Sequence, residues 1–586
     1  MISDRLETLR KAMKENGIDV YYFNTSDYHM SEYVAEYFKT IAYFSGFTGS
    51  LATLLVDKES AHIFVDGRYH VQADKQCLKN GVVVEKLGIK GVKDPTTFIL
   101  DNYKDKVLGF DGKRTSIKFA KALVSKGIEV KSLDIYSNLI EARVPLSKNE
   151  IHEFSEMYAG VSRKNKIEII NHYLRGSCLI VNNLESIAYL LNLRSDDIEH
   201  TPVFLSYLVF LDSQVYLFVD SSRFSKKTLD YLFEDQVIVR PYNSYYEFLK
   251  IIKNKTVFLD ETKVNFETFI RISSDNNVID KRSIIEDMKA IKNETEQANM
   301  REAHIIDGVA VVKFLKWLSE VDKKTITEWD AAKKIDKLRF ENGAYDLSFS
   351  SIVAYNENGA LMHYSPDKGK AAQLDNRGTL LFDTGGQYNY GTTDITRTVS
   401  LGPVKPEVKK WFTLVLKSMF NLSELKFLKG MSGNQIDVIA RKDLWAEGVD
   451  YRCGTGHGVG FNLAVHEGPP SIRYLHSEAK TEEVEFKPGM ICSDEPGVYF
   501  EKQFGIRCEN MILCKKEFEN EYGEFLGFET LTLVPFDLEL IDKKYLDQKT
   551  INVLNDYHKK VFETLSPRLD EDEVKFLKKI TRKIWK

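Results

Sequence analysis

No two cysteines in this chain stand in a C-x-x-C pair. The six present (Cys77, Cys178, Cys453, Cys492, Cys508 and Cys514) are scattered over 586 residues. That spacing excludes a dense disulfide framework and a structural zinc knuckle, and it suits a reducing cytoplasm. Long apolar runs are missing too: none reaches the roughly 18–20 residues needed to span a bilayer. The first residues, Met1-Ile2-Ser3-Asp4-Arg5-Leu6, read as the start of an amphipathic helix and lack the apolar core of a secretory signal. Positive charge is not in excess. Lys and Arg number 81 against 86 Asp and Glu, a net charge of −5, so neither a basic nucleic-acid footprint nor a polybasic membrane patch is present. What remains is an ordinary soluble composition, 43% hydrophobic and 28% charged, with ample material for a large core. The expectation is a cytoplasmic protein with no nucleic-acid or membrane partner.

At roughly 100–200 residues per domain, the length suggests three or four domains. Two stretches look like diverged copies. Ala61-His62-Ile63-Phe64-Val65-Asp66 is echoed by Val215-Tyr216-Leu217-Phe218-Val219-Asp220, and each follows an apolar strand and a polar turn, as in a β-hairpin. Ile140-Glu141 with Lys148-Asn149-Glu150 is echoed by Ile285-Glu286 with Lys292-Asn293-Glu294. Two echoes in the same order point to a duplicated α/β unit. Asn149 and Asn293 both stand where a helix N-cap belongs, and Glu296 completes a capping box with the second. Ala303, Ile306, Ala310, Phe314 and Trp317 then recur at helical spacing, which predicts a long amphipathic helix from about 294. Boundaries near 145 and 292 divide the chain into 1–145, 146–292 and 293–586, the last mixing helices with strands and closing on a packed helical tail.

The chemistry lies in the third part. Leu380-Leu381-Phe382-Asp383-Thr384-Gly385-Gly386 ends an apolar run in a carboxylate and a glycine pair. The return strand, Gly391-Thr392-Thr393-Asp394-Ile395-Thr396-Arg397-Thr398, is rich in β-branched residues. A hairpin here brings Asp383 beside Asp394, and two adjacent carboxylates repel unless a cation or a proton lies between them. Cys453-Gly454-Thr455-Gly456-His457-Gly458-Val459-Gly460 brackets one histidine with four glycines, which lets backbone approach closely. His466 follows nine residues on. Cys492-Ser493-Asp494-Glu495-Pro496-Gly497 sets an acid beside a Pro-Gly turn, and Phe504-Gly505-Ile506-Arg507-Cys508-Glu509-Asn510 sets another among apolar neighbours. Any one of these residues alone reads as a cap, a turn or a solvated acid. Together, four carboxylates match the charge of two divalent cations, with one imidazole completing an oxygen-rich set that admits Mn, Co, Fe or Zn. Two such ions lower the pKa of a bridging water and polarise a carbonyl.

The order Asp383, Asp394, Gly454-Thr455-Gly456-His457-Gly458-Val459-Gly460, Asp494-Glu495-Pro496-Gly497 and Gly505-Ile506-Arg507-Cys508-Glu509-Asn510 resembles the pita-bread metallopeptidase superfamily. Segments outside the metal motifs resemble its long, three-domain form, aminopeptidase P. They include Asp27-Tyr28-His29-Met30-Ser31-Glu32-Tyr33, Ser45-Gly46-Phe47-Thr48-Gly49-Ser50, Asp66-Gly67-Arg68-Tyr69, Leu191-Asn192-Leu193-Arg194 and Phe528-Glu529-Thr530-Leu531-Thr532-Leu533-Val534-Pro535.

The resemblance implies an α/β (α+β) chain in which two creatinase-like domains precede a pita-bread catalytic domain. It implies two metal ions, manganese first with cobalt or zinc admitted, held by Asp383, Asp394, His457, Glu495 and Glu509, with Asp394 and Glu509 bridging. Glu495 would also carry a proton to the leaving proline nitrogen, while His363 and His466 act on the substrate. Arg507 would support the metal carboxylates. Cys453 stands where animal members commonly carry a histidine that lines the proline site. The implied activity is release of the first residue from Xaa-Pro peptides by a homodimer. A prolidase restricted to Xaa-Pro dipeptides and a non-catalytic binding module that has lost its ligands are the rivals.

Overall fold

The computed structural model describes residues 1–474 and 484–585. These form two compact units: Met1–Glu156 with Val161–Ile285, and Met157–Gly160 with Glu286–Lys586.

The first unit contains two six-stranded sheets of one topology. In the first sheet the spatial order is Val83–Lys86, Ala61–Val65, Thr53–Asp57, Val20–Asn24, Val107–Phe110, Glu129–Ser132. In the second it is Val237–Pro241, Gln214–Val219, Tyr207–Leu211, Cys178–Val181, Thr256–Leu259, Asn277–Asp280. Directions agree strand for strand: two antiparallel pairings run through the hairpin, and the outer pairings are parallel. The echoed segments at 61 and 215 occupy equivalent strands, as duplication requires. The second hairpin turns on Asp212 and Ser213, both at positive φ (51° and 63°), the two-residue turn whose twist suits adjoining strands.

The two copies meet through equivalent loops. Ile117 N–H donates to the Val264 carbonyl (3.1 Å) and Phe266 N–H to the Thr115 carbonyl (2.8 Å). Each loop then caps a helix: Ser116 Oγ accepts from Phe119 N–H, and Asn265 Oδ1 accepts from Thr268 N–H.

Asn293 caps the helix Glu294–Glu320, with Glu296 returning a bond to the Asn293 N–H. The matching expectation at Asn149 fails. The chain there is extended: Ile151 is buried and bonds to the Arg223 carbonyl, and His152–Glu153 pairs with Leu193–Arg194. Asn149 Nδ2 instead donates to Asp196 Oδ2 (2.7 Å). An apolar residue two places after the asparagine found a strand partner, and strand pairing overrode the local cap signal.

In the second unit, the helices Glu294–Glu320 and Glu328–Glu341 pack on the sheet Ile352–Tyr355, Thr379–Thr384, Ile395–Ser400 through Phe314, Ile335, Leu380 and Phe382. A second antiparallel sheet runs Phe427–Leu428, Gly523–Thr530, Asn510–Asn520, Ile491–Asp494. Pro406–Ser423 and the tail helix Gln548–Leu565 share a core of Phe412, Val415, Met419, Leu554 and Val561. The hairpin Gly497–Phe500 with Phe504–Arg507 lies against that core through Val498 and Ile506.

Candidate metal centre

Backbone pairing brings the acids together. Asp383 lies in Thr379–Thr384, paired with Thr396 across the antiparallel ladder, and Asp394 lies just before that return strand. The return strand then reaches Glu509: Glu509 N–H donates to the Thr396 carbonyl (3.2 Å), and Thr396 Oγ1 donates to Glu509 Oε2 (2.8 Å). Asp494 pairs with Asn510, so Glu495 and Glu509 sit at neighbouring ends of two paired strands. Finally, Glu495 N–H donates to the Thr455 carbonyl (2.8 Å) and His457 N–H to Ser493 Oγ (2.9 Å). That approach needs glycine, because a Cβ at Gly456 would lie 1.9 Å from the Ser493 carbonyl oxygen.

The result is a charge imbalance. Asp394, His457 and Glu509 each offer one ligand atom, all within 4.8 Å of one another. His457 Nε2 stands 3.5 Å from Asp394 Oδ2 and 3.3 Å from Glu495 Oε1. Its Nδ1 lies 2.9 Å from the Gly458 carbonyl oxygen; as donor there it leaves Nε2 facing the acids. Ser493 Oγ donates to Glu495 Oε1 (3.1 Å). Asp383 Oδ2 accepts from the Arg507 guanidinium (2.5 Å), whereas Asp383 Oδ1 and Glu509 Oε1 are buried without a partner.

Burial pushes the Asp383 carboxyl up to about 7 against the pull of Arg507, with Asp394 and Glu495 adding repulsion. Burial also raises Glu495, and it raises Glu509 far above the carboxylate range with help from the Asp394 charge. His457 moves the other way: burial disfavours its cation, but the bond to Asp394 and the Glu495 charge outweigh it and lift it to about 9. Burial and mutual repulsion leave the negative charge of Asp383, Glu495 and Glu509 poorly compensated, and two divalent ions would offset it. Orphaned carboxylate oxygens and four acids around one guanidinium fit a pair of hard or borderline cations.

Of the remaining predicted residues, Arg507 and His466 touch this cluster. Arg507 is 3% exposed and also donates to Thr396 Oγ1 (2.9 Å) and the Tyr499 hydroxyl (2.9 Å). The His466 ring stands 4.3 Å from that of His457, edge to face. His363 occupies a half-buried turn after the short helix Asn356–Ala360. Cys453 is half-buried against the apolar core, and its carbonyl accepts from Arg441 (2.7 Å). Sequence reasoning missed Thr396, Ser493 and Tyr499. Thr396 is two residues past Asp394 and Ser493 two before Glu495, the spacing that sets extended residues on one side of the chain. That periodicity was the available signal.

An α+β fold that gathers four acids and a histidine at strand ends is that of a pita-bread metallohydrolase. The chain belongs to metallopeptidase family M24, whose model matches residues 298–516. Two creatinase/prolidase N-terminal domain models match 5–143 and 142–296, and the C-terminal region of the M24 peptidases matches 524–584. The probable Xaa-Pro aminopeptidase P of Pyrenophora teres f. teres is 36% identical, over 97% of this chain and 90% of that protein. Xaa-Pro aminopeptidase 1 of Dictyostelium discoideum is 35% identical, over 97% and 94%. Among solved structures, the X-prolyl aminopeptidase of Caenorhabditis elegans, described as a cytosolic enzyme with a di-nuclear active site, is similar with a TM-score of 0.93 and 29% identity over 100% of each chain.

Proposed function

We propose that this chain is a metal-dependent aminopeptidase that releases the N-terminal residue from peptides with proline in the second position. The observation that carries the reading is the cluster of Asp394, His457 and Glu509 in a chain that is similar almost end to end to Xaa-Pro aminopeptidases. Asp383, Asp394, His457, Glu495 and Glu509 would hold two divalent ions, manganese in the first instance. Bound there, the ions supply Lewis acidity and a water of lowered pKa.

The protein's side chains do the rest. Glu495, half-buried and bonded to Ser493, takes a proton from the attacking water and delivers it to the proline nitrogen. A tertiary amide nitrogen needs that proton to leave. His466, beside His457, hydrogen-bonds the peptide where negative charge develops. His363 holds the substrate. The Cys453 thiol, small and apolar, packs against the pyrrolidine ring in place of an imidazole. Arg507 fixes one Asp383 oxygen and so aims the other. No helix among the described residues is long and apolar enough to cross a membrane. We place the enzyme in the cytoplasm, with the worm enzyme, described as cytosolic, as the supporting parallel; a homodimer is the state we expect in solution.

A peptide panel after chelation, with single metals added back, tests the reading. Release of the first residue from Xaa-Pro-Xaa tripeptides, restored best by manganese, is expected. Cleavage of Xaa-Pro dipeptides alone would make the protein a prolidase, and no cleavage with metal bound would make it a binding module.

A further inference from the structure

We propose that Glu328 is a positioning residue for His363; the inference rests on the substrate role given to His363 above. Glu328 opens the helix Glu328–Glu341 after the N-cap Thr327 and is completely buried. Among the described residues its carboxylate makes no ion pair. Instead it collects four donors, all from one segment of chain. Oε1 accepts from the Tyr355 N–H (2.6 Å) and Asn358 Nδ2 (2.9 Å), and Oε2 accepts from the Tyr364 hydroxyl (2.6 Å) and the Ala372 N–H (2.8 Å). The Glu328 N–H completes the tie by donating to the Ala372 carbonyl (3.0 Å).

The segment from 355 to 372 carries His363, next to Tyr364. Past Ala360 it has no regular structure of its own until the sheet resumes at Thr379. Contacts besides those to Glu328 also hold its first half: Asn356 Oδ1 accepts from the Thr379 N–H (2.9 Å), and Gly359 approaches Gly505 so closely that a Cβ on Gly505 would lie 1.7 Å from the Gly359 carbonyl oxygen. That contact ties the segment to the strand Phe504–Arg507, which ends on the arginine that grips Asp383. The second half returns through Tyr364 and Ala372, and Glu328 accepts from both. One buried acceptor therefore sets the path of the chain on either side of His363 and its place relative to Arg507. A buried acceptor with four donors leaves little freedom to the residues between them.

The test is a double-mutant cycle on Xaa-Pro-Xaa hydrolysis with Glu328→Gln, His363→Ala and the pair, metal content being measured on each. An amide at 328 presents a donor to groups that are themselves donors, so the loop is released while the side chain keeps its volume. We expect Glu328→Gln to lower kcat/KM by about 10–100-fold, the range for residues that orient a functional group, with full metal occupancy. We expect the double variant to be no worse than His363→Ala alone. Tyr364→Phe removes one of the four bonds and is expected to lose about 3–10-fold in the same non-additive way; it stands in if Glu328→Gln does not fold. Additive losses, or an undiminished Glu328→Gln enzyme, overturn the role of Glu328. Full activity in His363→Ala overturns the role of His363 itself, a different result from either.

Discussion

Two buried aspartates in this chain each face a guanidinium, with opposite outcomes. In the N-terminal unit Asp197 takes two bonds from Arg223 (2.9 and 2.5 Å) and a third from the Leu205 N–H. The rest of Arg223 is spent on the Asn149 carbonyl and Ser195 Oγ. One acid meets one base, and both carboxylate oxygens are bonded. In the catalytic unit Asp383 takes one bond from Arg507, keeps one buried oxygen without a partner, and shares its surroundings with Asp394, Glu495 and Glu509. Burial alone therefore does not mark a site. The mark is a buried charge that the surrounding protein leaves uncompensated, because such a cluster persists only when something from outside completes it.

Breaking each cluster should affect a different property. Asp394→Asn is expected to cut turnover of Xaa-Pro-Xaa peptides by at least about 10³-fold, the scale for loss of an essential electrostatic group, and to lower the metal content found by elemental analysis. Asp197→Asn should leave turnover per folded molecule unchanged; a comparable loss there would erase the distinction. Next in size, Arg223→Ala strands Asp197 and should cost about 3–5 kcal/mol in urea unfolding. Arg507→Ala should cost less in the metal-free protein, where Asp383 is already poised at about 7 and can take a proton, while lowering kcat/KM about 10–100-fold.

Metal binding should also be linked to protons. Below pH 7 the metal-free Asp383 is protonated, so binding must expel that proton, and affinity should fall as pH drops through 7. Calorimetry in buffers of different ionisation enthalpy reads this directly. Equal proton release at pH 6 and pH 8 would contradict it.

The smallest effect contrasts two histidines, one half-buried and one fully buried. His457 is lifted to about 9 by its acids, whereas His558, which accepts from the Phe536 N–H, is driven down to about 3, first by burial and then by the Arg397 charge. The folded state keeps His558 neutral while the unfolded chain binds a proton near pH 6.5. Stability from this group is thus complete above pH 6.5 and is lost as pH falls toward 3. The loss amounts to about 1 kcal/mol between pH 7 and 5.5. His558→Asn should flatten that part of the acid limb in urea titrations, and an unchanged slope would show that the ring is not held neutral.

What could be read from the sequence was what short stretches decide. The duplicated hairpins at 61 and 215, the capping box from Asn293 to Glu296 and the glycine-flanked His457 are local signals with local causes, and they led to the fold class and the family. The cap expected at Asn149 failed for the complementary reason: Ile151 found a strand partner far along the chain. The same limit hid Thr396 and Ser493. Nothing near them in sequence says that one will bond a glutamate more than a hundred residues away, or that the other will join His457 to Glu495. Glu328, with its four donors, reads in sequence as an ordinary first-turn acid.

Residue types and their order thus determined that four acids and a histidine would be available for two cations. Which oxygens stay without partners, how far each proton affinity moves, and which buried acid holds the His363 segment were decided only by tertiary structure. Desolvation and hydrogen-bond partnership depend on what lies around an atom in space, and a linear pattern does not contain that.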